Sequence, residues 1–201
     1  SSWNVTSESL FSYIQDNVFL TRELTSIPHE KFIFVSSVDV YPRGSQIHLE
    51  DEIIDVNAVE GIYAMTKLIS ESMVKEYGKQ YLIFRSSAFL GPYSRKNSLK
   101  KVMEDENPVV TLTPESEFNY VLYSDVLKFL QEAMEKDLKG IYNIASSENM
   151  KLSDIANMFQ KKVTFGAHQY MVGNIDNTKA VSVVPAFRKT SQEVIKEFAN
   201  I

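Results

Sequence analysis

The sequence contains no cysteine, which excludes disulfides, thiolate nucleophiles and cysteine-ligated zinc. Histidine is nearly as scarce: His29, His48 and His168 stand far apart and without ligand spacing, so no metal site is expected. The seven glycines are scattered. No G-x-x-G-x-x-G cluster occurs, so the loop that cradles a dinucleotide pyrophosphate at a helix N-terminus is not among these residues. Positive charge is in deficit, 21 Lys and Arg against 26 Asp and Glu, for a net charge of -5. Nucleic acid, which wants a basic excess, is not an expected partner. No apolar run approaches the ~20 residues of a membrane span, so no membrane association is expected. The opening SSWNVTSESL has neither the basic region nor the apolar core of a secretory signal, and a cytoplasmic location is the expectation.

What is present reads as an ordinary globular chain, 44% hydrophobic and 23% charged. Residues 7–26 place Leu10, Phe11, Ile14, Val18 and Thr21 at helical spacing, and Pro28 forbids easy continuation. KFIFVSS follows, a short unbroken apolar run of the kind buried on both faces of a parallel sheet. Residues 42–60 have no period and read as a long loop. GIYAMTKLISESMVKEYGK returns to helical spacing, with Gly78 as its stop. YLIFRSSAFLGP then reads as a second buried strand. Helix, strand, helix, strand in succession predicts a parallel sheet with right-handed crossovers. From Tyr93 the elements shorten: a Lys-rich helix over 98–103, a strand VVTLT, a helix DVLKFLQEAMEK, a strand GIYNIA, and helices KLSDIANMF and TSQEVIKEFANI. The last opens on a capping box, Thr190 or Ser191 before Glu193. The expected division is 1–92 for the larger part and 93–201 for a smaller one, with the chain crossing back between them.

Two stretches carry chemistry: VSSVDVY at 35–41 and YAMTK at 63–67. Tyr63 and Lys67, four apart on a predicted helix, share one face. An ammonium there favours phenolate over phenol and lowers the Tyr pKa from ~10, which suits proton transfer at a hydroxyl or carbonyl. Ser36 and Ser37 end a strand, and the C-terminal ends of strands are where α/β sheets bind ligands. A Tyr-x-x-x-Lys by itself is common, usually a half-buried aromatic beside a solvated charge. The joint arrangement of strand, Ser-Ser, loop and Tyr-x-x-x-Lys at a helix start is what carries weight.

With YIQDNVFLTREL, FIFVSSVDVY, YAMTKLISE and LIFRSSAFLGP in place, the whole chain resembles the extended short-chain dehydrogenase/reductase family, the NAD(P)-dependent epimerases, dehydratases and reductases of nucleotide sugars. The resemblance implies an α/β fold: a Rossmann-type, doubly wound parallel sheet, here truncated, with a smaller mixed α/β part that binds substrate. It implies Tyr63 as the acid/base, Lys67 as the residue that orients the nicotinamide ribose, and Ser37 as the hydroxyl on the substrate oxygen. Ser36 and Asn17 are weaker cofactor-side candidates, Asp39 a weaker catalytic one, and Ser87 and Tyr93 weaker substrate contacts. Lys100 and Lys101 are further weak candidates. The implied cofactor is NAD or NADP, the substrate a sugar or nucleotide sugar, and the assembly a homodimer.

The chain departs from the family at several points. The glycine-rich turn is absent, and roughly 60–90 residues of the family pattern are expected to be missing ahead of it, at ~30 per βαβ unit. Sugar dehydratases of the family carry an Asp-Glu pair after the active-site Ser or Thr; here Val38 and Asp39 stand there, which weakens that reaction. The Asn near the diphosphate is replaced by Ala88, and SEFNYVLYSD lacks the expected Arg. The expected function is an NAD(P)-dependent epimerase or reductase of a sugar nucleotide. The alternative is a remnant or fragment of such an enzyme that only binds or assembles.

Overall fold

The computed structural model describes residues 7–200. The predicted first helix is present in three pieces: α1 (Ser7–Tyr13), a π-helical segment (Ile14–Phe19) and α2 (Leu20–Ser26). The wide turn has a local cause. The Asn17 carbonyl accepts hydrogen bonds from the hydroxyls of Thr21 (2.5 Å) and Ser70 (2.8 Å), so side chains occupy the acceptor of the ladder there.

Strand β1 (Phe32–Ser37) leads through the loop, which contains β2 (Ile47–His48), to α3 (Ile62–Tyr77) and β3 (Tyr81–Ser86). β4 (Ala88–Leu90), α4 (Ser98–Glu104), β5 (Glu117–Phe118), β6 (Tyr120–Leu122) and α5 (Tyr123–Glu135) follow. β7 (Gly140–Ile144), β8 (Met150–Lys151), α6 (Leu152–Met158), β9 (Asn174–Ile175), α7 (Thr178–Val183) and α8 (Ser191–Ala199) complete the described chain. The main sheet is parallel in the order β1-β3-β7, with Ser37 opposite Ser86 and Ser86 opposite Ile144. It is an α/β, Rossmann-type arrangement in which α3 is the crossover between β1 and β3. β7, from the later part of the chain, joins this sheet beside β3.

Two expectations are corrected. YLIFRSSAFLGP is two strands in two sheets. At Ser87 the backbone N–H still bonds to Ile144 (3.0 Å), but that of Ala88 bonds to Asn119 (3.1 Å), and β4 pairs with β6. VVTLT forms only isolated bridges, Val109 to Thr164 and Leu112 to His168, because its partners are single residues of an irregular segment. The capping box on α8 is present, with Thr190 and Glu193 each bonding the other's backbone N–H.

Three apolar clusters fill the molecule. One, built on Leu82, Phe84, Phe129, Ile144 and Phe187, lies between the main sheet, α5 and the segment after α7. A second joins β4, α4, α6 and α8 through Leu90, Leu99, Ile155 and Ile195. The third, Val38, Tyr41, Ala145, Val172 and Ile175, clips the end of β1 to the segment around β9. Among the described residues no helix is long and apolar enough to cross a membrane, and no group of three or more His, Asp or Glu is set to hold a metal.

Candidate active site

The C-terminal ends of β1 and β3 open onto a cavity of about 600 Å³, lined among others by Ser37, Asp39, Tyr63, Lys67, Ser87 and Arg95. Each arrives for a local reason. β1 ends at Ser37, where the backbone turns into a single 3-10 turn over Val38–Val40 that the Ser37 side chain caps. Gly61, at φ +85°, makes the turn into α3 that L-residues with a side chain rarely adopt. Two residues later Tyr63 stands on the first turn of α3, with Lys67 one turn on.

Register explains why the two adjacent serines differ. Ser36 lies beside Arg85 in the sheet, and both reach the same face, where Glu71 of α3 waits. The Ser36 hydroxyl donates to Glu71 Oε1 (2.6 Å), and Arg85 forms a bidentate pair with the same carboxylate, 2.8 Å at its closest. Glu71 is 0% and Arg85 2% exposed. Ser36 also lines the cavity, but its hydroxyl is held by the buried Glu71 carboxylate. Ser37, one residue on, turns the other way. Its Oγ donates to Asp39 Oδ2 (3.0 Å) and accepts the Asp39 backbone N–H (3.1 Å).

The Tyr63–Lys67 pair is assembled but not in contact at its polar ends. Lys67 Nζ donates to the Val35 carbonyl (3.0 Å) and lies 5.9 Å from the centre of the Tyr63 ring. The Tyr63 pKa is raised, first by burial and then by the negative charge of Asp39, with Ser37 and Arg95 pulling it back in part. This corrects the expected lowering by Lys67: burial outweighs the favourable contacts. Burial also lowers the pKa of Lys67, against the opposing charge of Glu71.

Asn17 is elsewhere. Its side chain donates to Thr66 Oγ1 (3.0 Å), tying the π-helical segment to α3, so it supports the helix that carries Tyr63 and does not line the cavity. Tyr93 is 94% exposed and also outside the lining. Lys100 is held by the Ser94 carbonyl (2.8 Å), whereas Lys101 faces the cavity. Ser87 is buried, lines the cavity, and its Oγ has no hydrogen-bond partner. Sequence reasoning missed Arg95 and Tyr170. Arg95 had a faint signal, a cation just past the Gly-Pro that ends a strand. Tyr170 had none, since it meets Asp39 from 131 residues away.

Residues 1–145 match the family described as the NAD dependent epimerase/dehydratase family. The chain belongs to that family. Among solved structures it is similar to UDP-glucuronic acid 4-epimerase from Bacillus cereus, crystallised with UDP-glucuronic acid and NAD, at 19% identity and TM-score 0.77, over 96% of this chain and 69% of that one. It is similar to MoeE5 in complex with UDP-glucuronic acid and NAD at 17% identity and TM-score 0.77, over 94% and 72%. It is also similar to TunA, an NAD-dependent NDP-hexosamine 5,6-dehydratase of tunicamycin biosynthesis, at 17% identity and TM-score 0.76, over 96% and 74%. No curated protein matches. As a member of the epimerase/dehydratase family the chain shares the fold of these enzymes, and its cavity lies at the strand ends where such sheets bind ligands.

Proposed function

We propose that this chain carries the proton-transfer half and the substrate part of an NAD(P)-dependent epimerase or reductase acting on a sugar nucleotide. The observation that carries the reading is the convergence of Ser37, Tyr63 and Lys67 on one cavity at the C-terminal ends of β1 and β3. In this reading Ser37 holds the reacting sugar oxygen, and Tyr63 takes or returns its proton. Lys67, whose ammonium sits one helical turn from Tyr63 at the mouth of β1, positions the nicotinamide ribose. A bound nicotinamide would supply hydride acceptance and return. The residues present fit that half of a cofactor: a half-exposed phenol, a cation and two strand-end hydroxyls on one wall.

A nucleotide sugar as substrate draws on the similar structures, which were crystallised with such compounds, and on Arg95 and Lys101 as cations for phosphate. Val38 in place of a carboxylate supports epimerase or reductase chemistry over dehydration. Assembly as a homodimer belongs to the same proposal, supported by the apolar side chains Leu24, Ile69 and Tyr77 that α2 and α3 leave exposed.

Calorimetric titration with NAD(H), NADP(H) and UDP-glucuronic acid tests the reading, followed by turnover assays on the chain as encoded in its gene. Tyr63→Phe is expected to lower turnover by about 10²–10⁴-fold while cofactor affinity stays within about twofold. Retention of most activity would overturn the role of Tyr63. A second reading, a binding or assembly module without chemistry, is favoured by Ala88 and by the lack of a glycine-rich loop among these residues. Sugar-nucleotide binding with no turnover and no cofactor binding would select it.

A further inference from the structure

Asp39 is the most heavily coordinated group in the cavity wall. Its Oδ1 accepts from Arg43 Nη2 (2.7 Å) and from the Tyr170 hydroxyl (2.9 Å). Its Oδ2 accepts from Ser37 Oγ (3.0 Å). Arg43 is fixed in turn: its Nη1 donates to the Met171 carbonyl (3.3 Å), and its guanidinium lies 4.4 Å from the centre of the Tyr170 ring. Tyr170 stacks on Phe118 at 4.6 Å. The end of β1 and the segment before β9 therefore meet at one carboxylate, and that carboxylate is held from two sides.

A carboxylate only accepts, so the proton between Ser37 Oγ and Asp39 Oδ2 belongs to Ser37. A hydroxyl has one proton and two lone pairs. The proton goes to Asp39, and one lone pair takes the Asp39 backbone N–H (3.1 Å). One lone pair is left, and Ser37 lines the cavity together with Tyr63. We propose that Asp39 is a positioning residue: anchored by Arg43 and Tyr170, it draws the Ser37 hydroxyl toward itself and leaves Ser37 facing the cavity as a hydrogen-bond acceptor. A substrate hydroxyl, or the phenol of Tyr63, can give a proton to that lone pair; a carbonyl cannot. The resting site is thus fitted to the alcohol form of a substrate, and a carbonyl must first turn the Ser37 proton away from a charged partner. This rests on the assignment of Ser37 and Tyr63 to the reacting oxygen.

The test follows the Tyr63 phenol by NMR of protein labelled at the tyrosine ζ-carbon, with the resonance assigned from Tyr63→Phe. The charged and titratable groups around it are Asp39, Tyr13, Arg95 and Lys67. Asp39→Asn is expected to lower the titration midpoint by about one pH unit, a tenfold change in the ionisation constant, because Ser37 becomes free to donate to the phenolate. In a Ser37→Ala background the same substitution should lose more than half of that shift. An equal shift in both backgrounds would reduce Asp39 to a bulk charge and overturn the proposal, and no shift in either would do the same. Should Asp39→Asn not fold, Tyr170→Phe, which removes one anchor and keeps the carboxylate, should move the midpoint in the same direction by a smaller amount; no movement overturns the proposal. The titration needs neither cofactor nor substrate, so its failure is distinct from a failure to bind NAD(H) or UDP-glucuronic acid.

Discussion

β1 (FIFVSS) and the stretch LIFRSS that holds most of β3 are written in nearly the same letters, lie side by side, and end up with different duties. β3 is the central strand: Leu82, Ile83 and Phe84 are 2% exposed or less, and its arginine is buried in an ion pair with Glu71. β1 borders the described sheet, and Val35 in its middle is 44% exposed. The two sequences align one residue out of step with the pairing, so Ser36 stands beside Arg85 and Ser37 beside Ser86. Since neighbours in register share a face, the Ser36 hydroxyl joins Arg85 on Glu71 while that of Ser37 turns to Asp39. What a strand-end serine does here is set by register and not by its local sequence.

The contrast can be broken at several strengths. The largest effect is expected at the ionic network beneath both strands. Glu71→Ala leaves Arg85 buried without its partner and should cost about 3–5 kcal/mol in denaturant unfolding, whereas Glu71→Leu combined with Arg85→Met should recover much of that loss. A double variant no more stable than Glu71→Ala would show that the pair is more than a matched burial. Next come the apolar positions: Leu82→Ala in β3 should cost about 2–5 kcal/mol, while Val35→Thr in β1 should stay within about 0.5 kcal/mol. Equal costs would mean that the outer side of β1 is covered in solution. The smallest effects separate the serines. Ser36→Ala, which deletes a bond to a charged acceptor, should cost about 1.5–3 kcal/mol, and Ser87→Ala, whose hydroxyl has no partner, should change stability by no more than about 0.5 kcal/mol. A costly Ser87→Ala would contradict the unpartnered state of that buried hydroxyl.

Much of this was legible in the chain. The two apolar runs, the helix bearing Tyr63 and Lys67 and the α8 capping box follow from spacing and composition, because their causes are local: periodicity, a turn glycine, a reciprocal cap. The break at Ser87 was not legible, since an apolar run looks the same whether its carbonyl partners are in β7 or before β6. The electrostatics of Tyr63 were misjudged for a similar reason. Spacing places Lys67 one turn away, but only the packed structure shows the ammonium turned to the Val35 carbonyl and the phenol left to burial and Asp39.

The sequence alone therefore determined the α/β class and the order of the main elements, and it singled out Ser37, Tyr63 and Lys67 as candidates, which line one cavity. Periodicity and helical spacing act within a few residues, so a reader of the chain has all the information they need. Only the tertiary structure decided which partner each serine hydroxyl takes, that Asn17 ties the π-helical segment to α3, and how Asp39, Arg43 and Tyr170 close around Ser37. Those outcomes depend on strand register and on contacts between residues up to 131 positions apart, which no local pattern encodes.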